Sequence, residues 1–292
     1  MHRYIPALFT AIVWGSTFVA TKHLLNAGVQ PTSLMMMRFI LAYTILWLLY
    51  PKHHPIRLNK EEYKFALVGL TGGSLYFLCE YTSLLHTSVI NVSLITSIVP
   101  IISAAIDLTL RRRRPGKHYI FGSLTALVGV TFVVLSPVLV TGRWGELRIN
   151  IIGDGIAFAS VAMWSTYSVV LSRIDPSYSP LFVSRRLFFY AAITMLPIAA
   201  FKLNMGDITP FTESATCLGC LIYLGMVASA TCMWLWNWST NKIGIHQTNF
   251  FLYLLPVVSF IAATLYDNSS ASLWNLSGTA LILIGIFVAA NH

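Results

Sequence analysis

Five small-residue and proline positions recur in this chain at one fixed offset, and that recurrence limits the folds available to it more than any other feature. Pro100, Gly122 and Gly129 reappear as Pro256, Gly278 and Gly285, each 156 positions later. Ser83 and Ser103 reappear at the same offset as Ser239 and Ser259. The register holds across three consecutive apolar stretches, so the repeated unit is larger than a helical hairpin.

Apolar runs of roughly 20 residues, the length of helix that crosses about 30 Å of hydrocarbon, follow one another from end to end. Ten are readable, at 4–25, 32–50, 63–85, 88–110, 118–137, 151–171, 181–203, 216–239, 246–266 and 273–290. Hydrophobic residues make up 56% of the 292 and charged residues only 10%, against about 25% charged in soluble domains. Spans this short satisfy their backbone groups only as helices. The expected fold is an all-α integral membrane protein of ten transmembrane helices. The segment 138–150 divides it into a first repeat, 1–137, and a second, 151–292. A five-span unit enters on one face of the bilayer and leaves on the other, so its second copy must be inverted. Inverted repeats of this kind belong to carriers that work by alternating access.

The net charge of +9 invites a nucleic-acid reading, but its distribution does not. With the N-terminus inside, one face collects Arg3, Lys52, Arg57, Lys60, Lys64, Arg111, Arg112, Arg113, Arg114, Lys117, Arg173 and Lys242. The other face receives Lys22, Arg38, Arg143, Arg148 and Lys202. Twelve against five is the positive-inside bias and places both termini in the cytoplasm. The run Arg111–Arg114 then reads as an anchor at an anionic leaflet. The lipid bilayer is therefore the expected macromolecular surface, with no nucleic-acid partner, and the chain is expected to act as a monomer.

The first half of the repeat aligns at a slightly shorter offset. TAIVWGSTFV (10–19) matches SVAMWSTYSV (160–169), with Trp14 over Trp164, 150 positions apart. The connections HTSVI (86–90) and NKIGI (241–245) allow only tight helical hairpins.

Helical phase separates candidate pathway residues from the lipid face. In span three Gly69, Gly72, Tyr76, Glu80 and Ser83 fall on one stripe, with Gly225, Ala228, Cys232, Trp236 and Ser239 as its image in span eight. In span four the stripe is Ser93, Ser97, Pro100 and Ala104, with Asn249, Tyr253, Pro256 and Phe260 as its image in span nine. The substrate-binding set expected from these stripes is Trp14, Tyr76, Glu80, Ser93 and Ser97 from the first repeat. From the second come Trp164, Tyr167, Trp236, Asn249 and Tyr253. They are expected to line a mid-membrane cavity between the halves.

Two readings stand for each class of residue. Pro100 and Pro256 inside spans free a carbonyl and bend the helix, either as hinges or as static kinks. Mid-span tryptophans form an aromatic cage for a substrate or pack between helices. Glu80 is the one acid well inside an apolar run, at a cost of roughly 2.5–3.5 kcal/mol on insertion scales. Protonation removes that cost, which suits a proton-coupling site or a partner for a substrate amine. The alternative is a structural bond to a neighbouring helix or to Arg38. Asp107, Asp154 and Asp267 lie at span ends and read as interfacial.

Enzymatic sites are not evident. The histidines are dispersed, and no HExxH, nucleophile elbow or paired acids appear. Cys217 and Cys220 form a CxxC within an apolar segment without further ligands, so no metal or cofactor is implied. A channel would require a continuous polar stripe or a ring of subunits.

Several segments together carry a family resemblance: WGSTFVATKHLL in span one, Arg38-Phe39 in span two, the hairpin EYTSLLHTSVINVSLITSIVPIISA, the RRRRP after it, and GDGIAFASVAMWSTYSV at the start of the second half. In this order and spacing they resemble the EamA family of the drug/metabolite transporter superfamily, as two repeats over nearly the whole chain. The resemblance implies a ten-helix carrier in the bacterial inner membrane, exporting amino acids or other small metabolites. A nucleotide-sugar or sugar-phosphate carrier of the same superfamily is the alternative. The chain departs from the resemblance at Asp107, where many members carry Glu, and at Glu80, whose role cannot be carried over.

Overall fold

A computed structural model of the chain describes residues 2–52, 55–56, 59–87, 89–111, 116–144, 150–202, 205–267 and 272–290. Arg112–Arg114 and Arg148 lie outside the described residues, as do the side chains of Lys22, Asp107, Arg111, Lys202 and Asp267. Among the described residues the protein is helical, without strands.

Ten helical rods follow one another in the order expected. The first two are α1 (Ile5–Asn26) and α2 (Pro31–Leu49). The third joins α3 (Lys60–Gly69) to α4 (Tyr76–His86) through a π-helical segment, Leu70–Leu75. The fourth is α5 (Val89–Thr96) followed by α6 (Val99–Arg111), and the fifth is α7 (Lys117–Thr141). In the second half come α8 (Ile151–Leu171) and α9 (Pro180–Lys202), then the short surface helix α10 (Thr209–Glu213). The eighth rod joins α11 (Ala215–Ile222) to α12 (Cys232–Ile243) through a second π-helical segment, Tyr223–Thr231. The ninth is α13 (Ile245–Phe250), a 3₁₀ turn and α14 (Leu255–Asp267); the tenth is α15 (Leu273–Ala290). Among the described residues seven helical stretches are each long and apolar enough to cross a bilayer. Side chains such as Ile5, Leu8 and Ile12 of α1 and Phe121, Leu124 and Val128 of α7 are exposed, a surface suited to lipid rather than water.

The helix ends follow from local chemistry. Pro6, Pro31 and Pro180 sit in first turns, where a missing N–H costs nothing. Asn59 and Asn150 cap α3 and α8 by accepting from the N–H of Glu62 (2.8 Å) and Gly153 (2.9 Å), the usual role of Asn at that position. Gly244, at φ +83°, makes the turn between α12 and α13 that a side chain would strain. The first and last described helices bring Tyr4 and Ala289 together at one end of the bundle. Tyr4 packs its ring on Phe251 and donates from its hydroxyl to Gln247 (3.2 Å), beside Ala289 of α15.

The sequence reading is corrected at three points. Helix α7 runs through Pro137 to Thr141 rather than ending at 137. Pro100 and Pro256 are not mid-helix kinks: each is the second residue of a helix, α6 and α14, after a break in its rod. There the proline lacks only an N–H that has no intrahelical partner. The pathway stripes of spans three and eight do not run straight, because each crosses a π-helical segment. A π-bulge holds an extra residue and rotates the helix phase. Gly69 and Gly73 consequently face α9, against Tyr190 and Ala191, whereas Gly72 faces Tyr167 of α8. In the image rod Gly225 faces Leu41 of α2, and Ala228 faces Trp14 of α1.

The packing is reciprocal between halves. A Cβ on Gly122 would lie 2.6 Å from the carbonyl oxygen of Gly285, and one on Gly285 would lie 2.6 Å from that of Gly122. Gly129 and Gly278 stand in the same 2.6 Å relation. Helices α7 and α15 therefore run antiparallel in backbone contact, each presenting the same residues to the other. Likewise α1 packs on α14 while its image α8 packs on α6. Tyr4 bonds Gln247 at one end, and their images Asp154 and Asn91 bond at the other (3.1 Å).

The glycine contact yields a prediction. Gly129→Ala places a methyl against backbone atoms on α15, and overpacking of this kind costs about 1–3 kcal/mol. Gly155→Ala, on α8 with nothing within 4 Å of the added carbon, should be neutral or slightly stabilising, since alanine outranks glycine in helices by about 1 kcal/mol. Melting temperatures of the two purified variants check this; equal values would remove the argument from close approach.

Candidate functional site

Five of the expected site residues meet in one aromatic cluster where the two repeats join. The repeat-related pair Trp14 and Trp164 are in edge-to-face contact, with centroids 5.4 Å apart and planes at 85°. Trp236 lies 4.9 Å from Trp14 and 6.3 Å from Trp164. Tyr76 and Tyr167 lie 4.8 and 4.9 Å from Trp164. Such ring pairs contribute about 0.5–1.5 kcal/mol each beyond burial. The cluster draws on α1, α4, α8 and α12, two helices from each half.

The π-helical segments place these rings. Their wide turns rearrange the backbone bonding, and Ser229 and Thr231 donate to carbonyls five residues back (2.8 and 3.0 Å). The carbonyl of Ala228 in the same segment accepts from the indole N–H of Trp14 at 2.9 Å. The image position of Ala228 is Gly72, and there the ring of Tyr167 occupies the space, 2.4 Å from where a Cβ would stand. Among the described residues Trp164 makes no bond matching that of Trp14, and its indole N–H has no partner. The indole N–H of Trp236 is likewise unpartnered. Each such buried donor costs about 1–3 kcal/mol when left unsatisfied.

Glu80 sits one turn beyond the cluster. Its Oε1 accepts from the Tyr76 hydroxyl at 2.9 Å, so among the described residues its carboxylate is bonded within its own helix. Arg38 turns elsewhere: its Nε and Nη2 donate to Ser229 Oγ (3.4 and 3.2 Å) and its Nη1 to the Tyr81 hydroxyl (3.1 Å). The guanidinium also lies over Phe77. The acid and the base thus approach one region through the adjacent residues Glu80 and Tyr81 without forming an ion pair.

Burial is graded across the site. Residues 75–82 are half-buried throughout, as are Trp14, Thr17 and Thr21 on α1, except that Ser83 beyond them is covered. Toward the end that holds the termini the next residues of the site are covered. Trp236, Tyr167 and Asn237 are at most 1% exposed. Tyr167 donates to Asn237 Oδ1 (2.9 Å), and Asn237 donates to Ser184 of α9 (2.7 Å). Further toward that end, Glu62 accepts from Tyr190 (2.7 Å) and pairs with Arg186 (3.4 Å). Arg185 donates to the backbone carbonyls of Tyr50 and Lys52.

The remaining expected residues are more dispersed. Asn249 is buried and accepts from Ser168 of α8 at 3.4 Å. Ser97 donates to the Leu94 carbonyl of its own rod (2.6 Å), and Ser93 is half-buried on the same rod. Tyr253 is buried against Phe250, which packs on Tyr119 of α7, apart from the tryptophans. Asp154, expected at an interface, caps the start of α8 region by accepting from the N–H of Asn150 and ties it to Thr87 and Asn91. Sequence reasoning missed Asn237, Tyr81 and Ser184. One signal was present: Tyr81 and Asn237 are repeat images 156 positions apart, both polar and both inside apolar rods.

Two homologous five-rod halves, lipid-suited outer faces and a polar, aromatic centre define a multi-pass helical membrane protein. Its relatives are transporters. The model of the EamA-like transporter family matches residues 3–135 and again residues 151–291. The chain belongs to that family. It is 22% identical to the uncharacterized transporter YyaM of Bacillus subtilis (strain 168), over 100% of this chain and 94% of that protein. It is also 22% identical to an uncharacterized transporter of Archaeoglobus fulgidus, over 100% and 99% of the two chains. A probable terminal-alkyne amino-acid exporter of Streptantibioticus cattleyicolor is 21% identical, over 96% and 91%. A solved crystal structure shares the fold with a TM-score of 0.80 at 18% identity, covering 99% of this chain and 96% of the other.

Proposed function

We propose that this protein is a secondary-active carrier that exports small amphipathic metabolites, amino acids foremost, across the bacterial inner membrane by alternating access. The observation that carries the reading is the reciprocal contact of α7 with α15, which supports a pseudo-twofold relation between the halves. An inverted repeat with its polar residues gathered at the junction is the architecture of such carriers. The graded burial supports a particular state: sealed at the end holding the termini and accessible from the other. The name of the Streptantibioticus cattleyicolor relative, a probable terminal-alkyne amino-acid exporter, supports amino acids as the first solutes to test. On this reading Glu80 couples transport to protons, the substrate meets the aromatic cluster, and the breaks before Pro100 and Pro256 are hinges.

Proteoliposomes preloaded with each of the twenty labelled amino acids test the function directly. Saturable efflux and counterflow exchange are expected for a subset; a flux that never saturates would indicate a channel. On the same reading both termini and the Arg111–Arg114 run lie in the cytoplasm. A single cysteine at Arg112, in a background lacking Cys79, Cys217, Cys220 and Cys232, should resist impermeant maleimide in intact cells and react after permeabilisation. Labelling from outside in intact cells would overturn that topology.

A further inference from the structure

We propose that Trp164 and Trp236 form an acceptor subsite: their indole N–H groups receive a carbonyl or carboxylate oxygen of a solute whose cationic group sits at Glu80. The inference deepens the carrier reading and rests on it.

The tryptophans are 4% and 0% exposed, and among the described residues both indole nitrogens lack a partner. Buried polar groups are nearly always bonded, and an exception calls for a reason. The chain holds a ready solution and uses it only once. Trp14 gives its N–H to the Ala228 carbonyl freed in the π-helical segment, but at the image site Tyr167 fills the space against Gly72 and Trp164 is left open. The two open donors lie in adjoining rings of one cluster, with centroids 6.3 Å apart. An indole N–H donates and never accepts, so the group it awaits must carry a lone pair. Tyr76 spans from this cluster to Glu80, with its ring against Trp164 and its hydroxyl on Oε1. One tyrosine side chain therefore links the Trp164 ring to that carboxylate, with Trp236 adjoining Trp164, and Arg38 is engaged by Ser229 and Tyr81. A solute with a cationic group and an oxygen acceptor a few bonds apart matches that order. Discrimination against an analogue that lacks the acceptor is then large, because the site's polar groups stay unpaired.

Calorimetric titration of the full chain in lipid nanodiscs tests this. The twenty amino acids are screened, and the tightest is compared with its amide, which keeps a neutral carbonyl, and with its decarboxylated amine, which has none. The amino acid or its amide should bind at least tenfold tighter than the amine, and which of the two binds tighter identifies the acceptor. Trp164→Phe and Trp236→Phe should narrow that ratio to threefold or less, whereas Trp274→Phe, on the outer face of α15, should preserve it. If the phenylalanine variants do not fold, benzothienylalanine at position 164 removes the N–H and keeps the ring shape, with the same narrowing expected. Glu80→Gln should weaken all three ligands and keep the ratio. Equal binding of amine and acid by the wild type would assign the donors to water and overturn the proposal. So would an unchanged ratio in the N–H-deleted proteins, or binding of no amino acid. Proteoliposomes that move other solutes in those cases would leave the carrier reading intact; absence of any transport would overturn that reading itself.

Discussion

Glu80→Gln is expected to abolish transport driven by a pH gradient while counterflow exchange persists. Glu80 is an acid deep in an apolar rod, where a charge costs roughly 2.5–3.5 kcal/mol on insertion scales. Among the described residues its carboxylate is bonded to Tyr76 of the same helix and to no other rod. That arrangement bears on the structural alternative. A tie between helices would make the residue a stability element, but a bond one turn back along α4 holds nothing across an interface. Glutamine keeps an oxygen for the Tyr76 hydroxyl and mimics the protonated acid. The melting temperature should therefore change little, while the protein can no longer release and rebind a proton as the site alternates. An unneutralised charge in the closed state would oppose the transition, and glutamine removes that dependence as well. Flux and melting temperature measured on one preparation decide the matter. Normal pH-driven flux would end the coupling role, and a large fall in stability with flux lost in proportion would restore the structural one.

Glu62→Gln should have the largest effect on stability. Glu62 and Arg186 are 8% and 7% exposed and 3.4 Å apart, and Tyr190 donates to the same carboxylate oxygen. Removing one partner of a buried pair costs about 3–5 kcal/mol, because the other charge is left in a low-dielectric setting. Replacing both partners by apolar residues of similar size is often neutral. The double variant Glu62→Leu with Arg186→Met should therefore recover most of what Glu62→Gln loses. The network joins α3 to α9 at the end that the proposed state seals, so the single variant should also raise maleimide labelling of a cysteine at Ser184 from that side. If the double variant is as unstable as the single one, the loss comes from packing and not from an orphaned charge.

Much of the fold is legible in the residues themselves. Apolar runs of membrane length predict ten rods, because a bilayer offers no partner for an open backbone. The recurrence of Pro100, Gly122 and Gly129 at 156 positions divides them into two like halves. Trp14 and Trp164, a pair at the 150-residue offset, lie in ring contact with each other and with Trp236 of the span-eight stripe. Ser93, Ser97 and Tyr253, chosen by the same periodicity, do not join those rings.

What the sequence alone determined was the periodic part: the helical state, the number of rods and the repeat, each written in local hydropathy or in residues compared at a constant offset. Only the tertiary structure decided which face each rod turns to its neighbours. The π-helical segments at Leu70–Leu75 and Tyr223–Thr231 rotate the phase inside spans three and eight, and no residue type announces an extra residue in a turn. It is stabilised by contacts from elsewhere in the chain, among them the Trp14 indole on the Ala228 carbonyl and the Tyr167 ring on Gly72. The same holds for the partner of Glu80 and for the two open indole donors. Hydrogen bonds are short-ranged and directional, so who bonds whom follows from packing of distant segments, which a linear pattern does not contain.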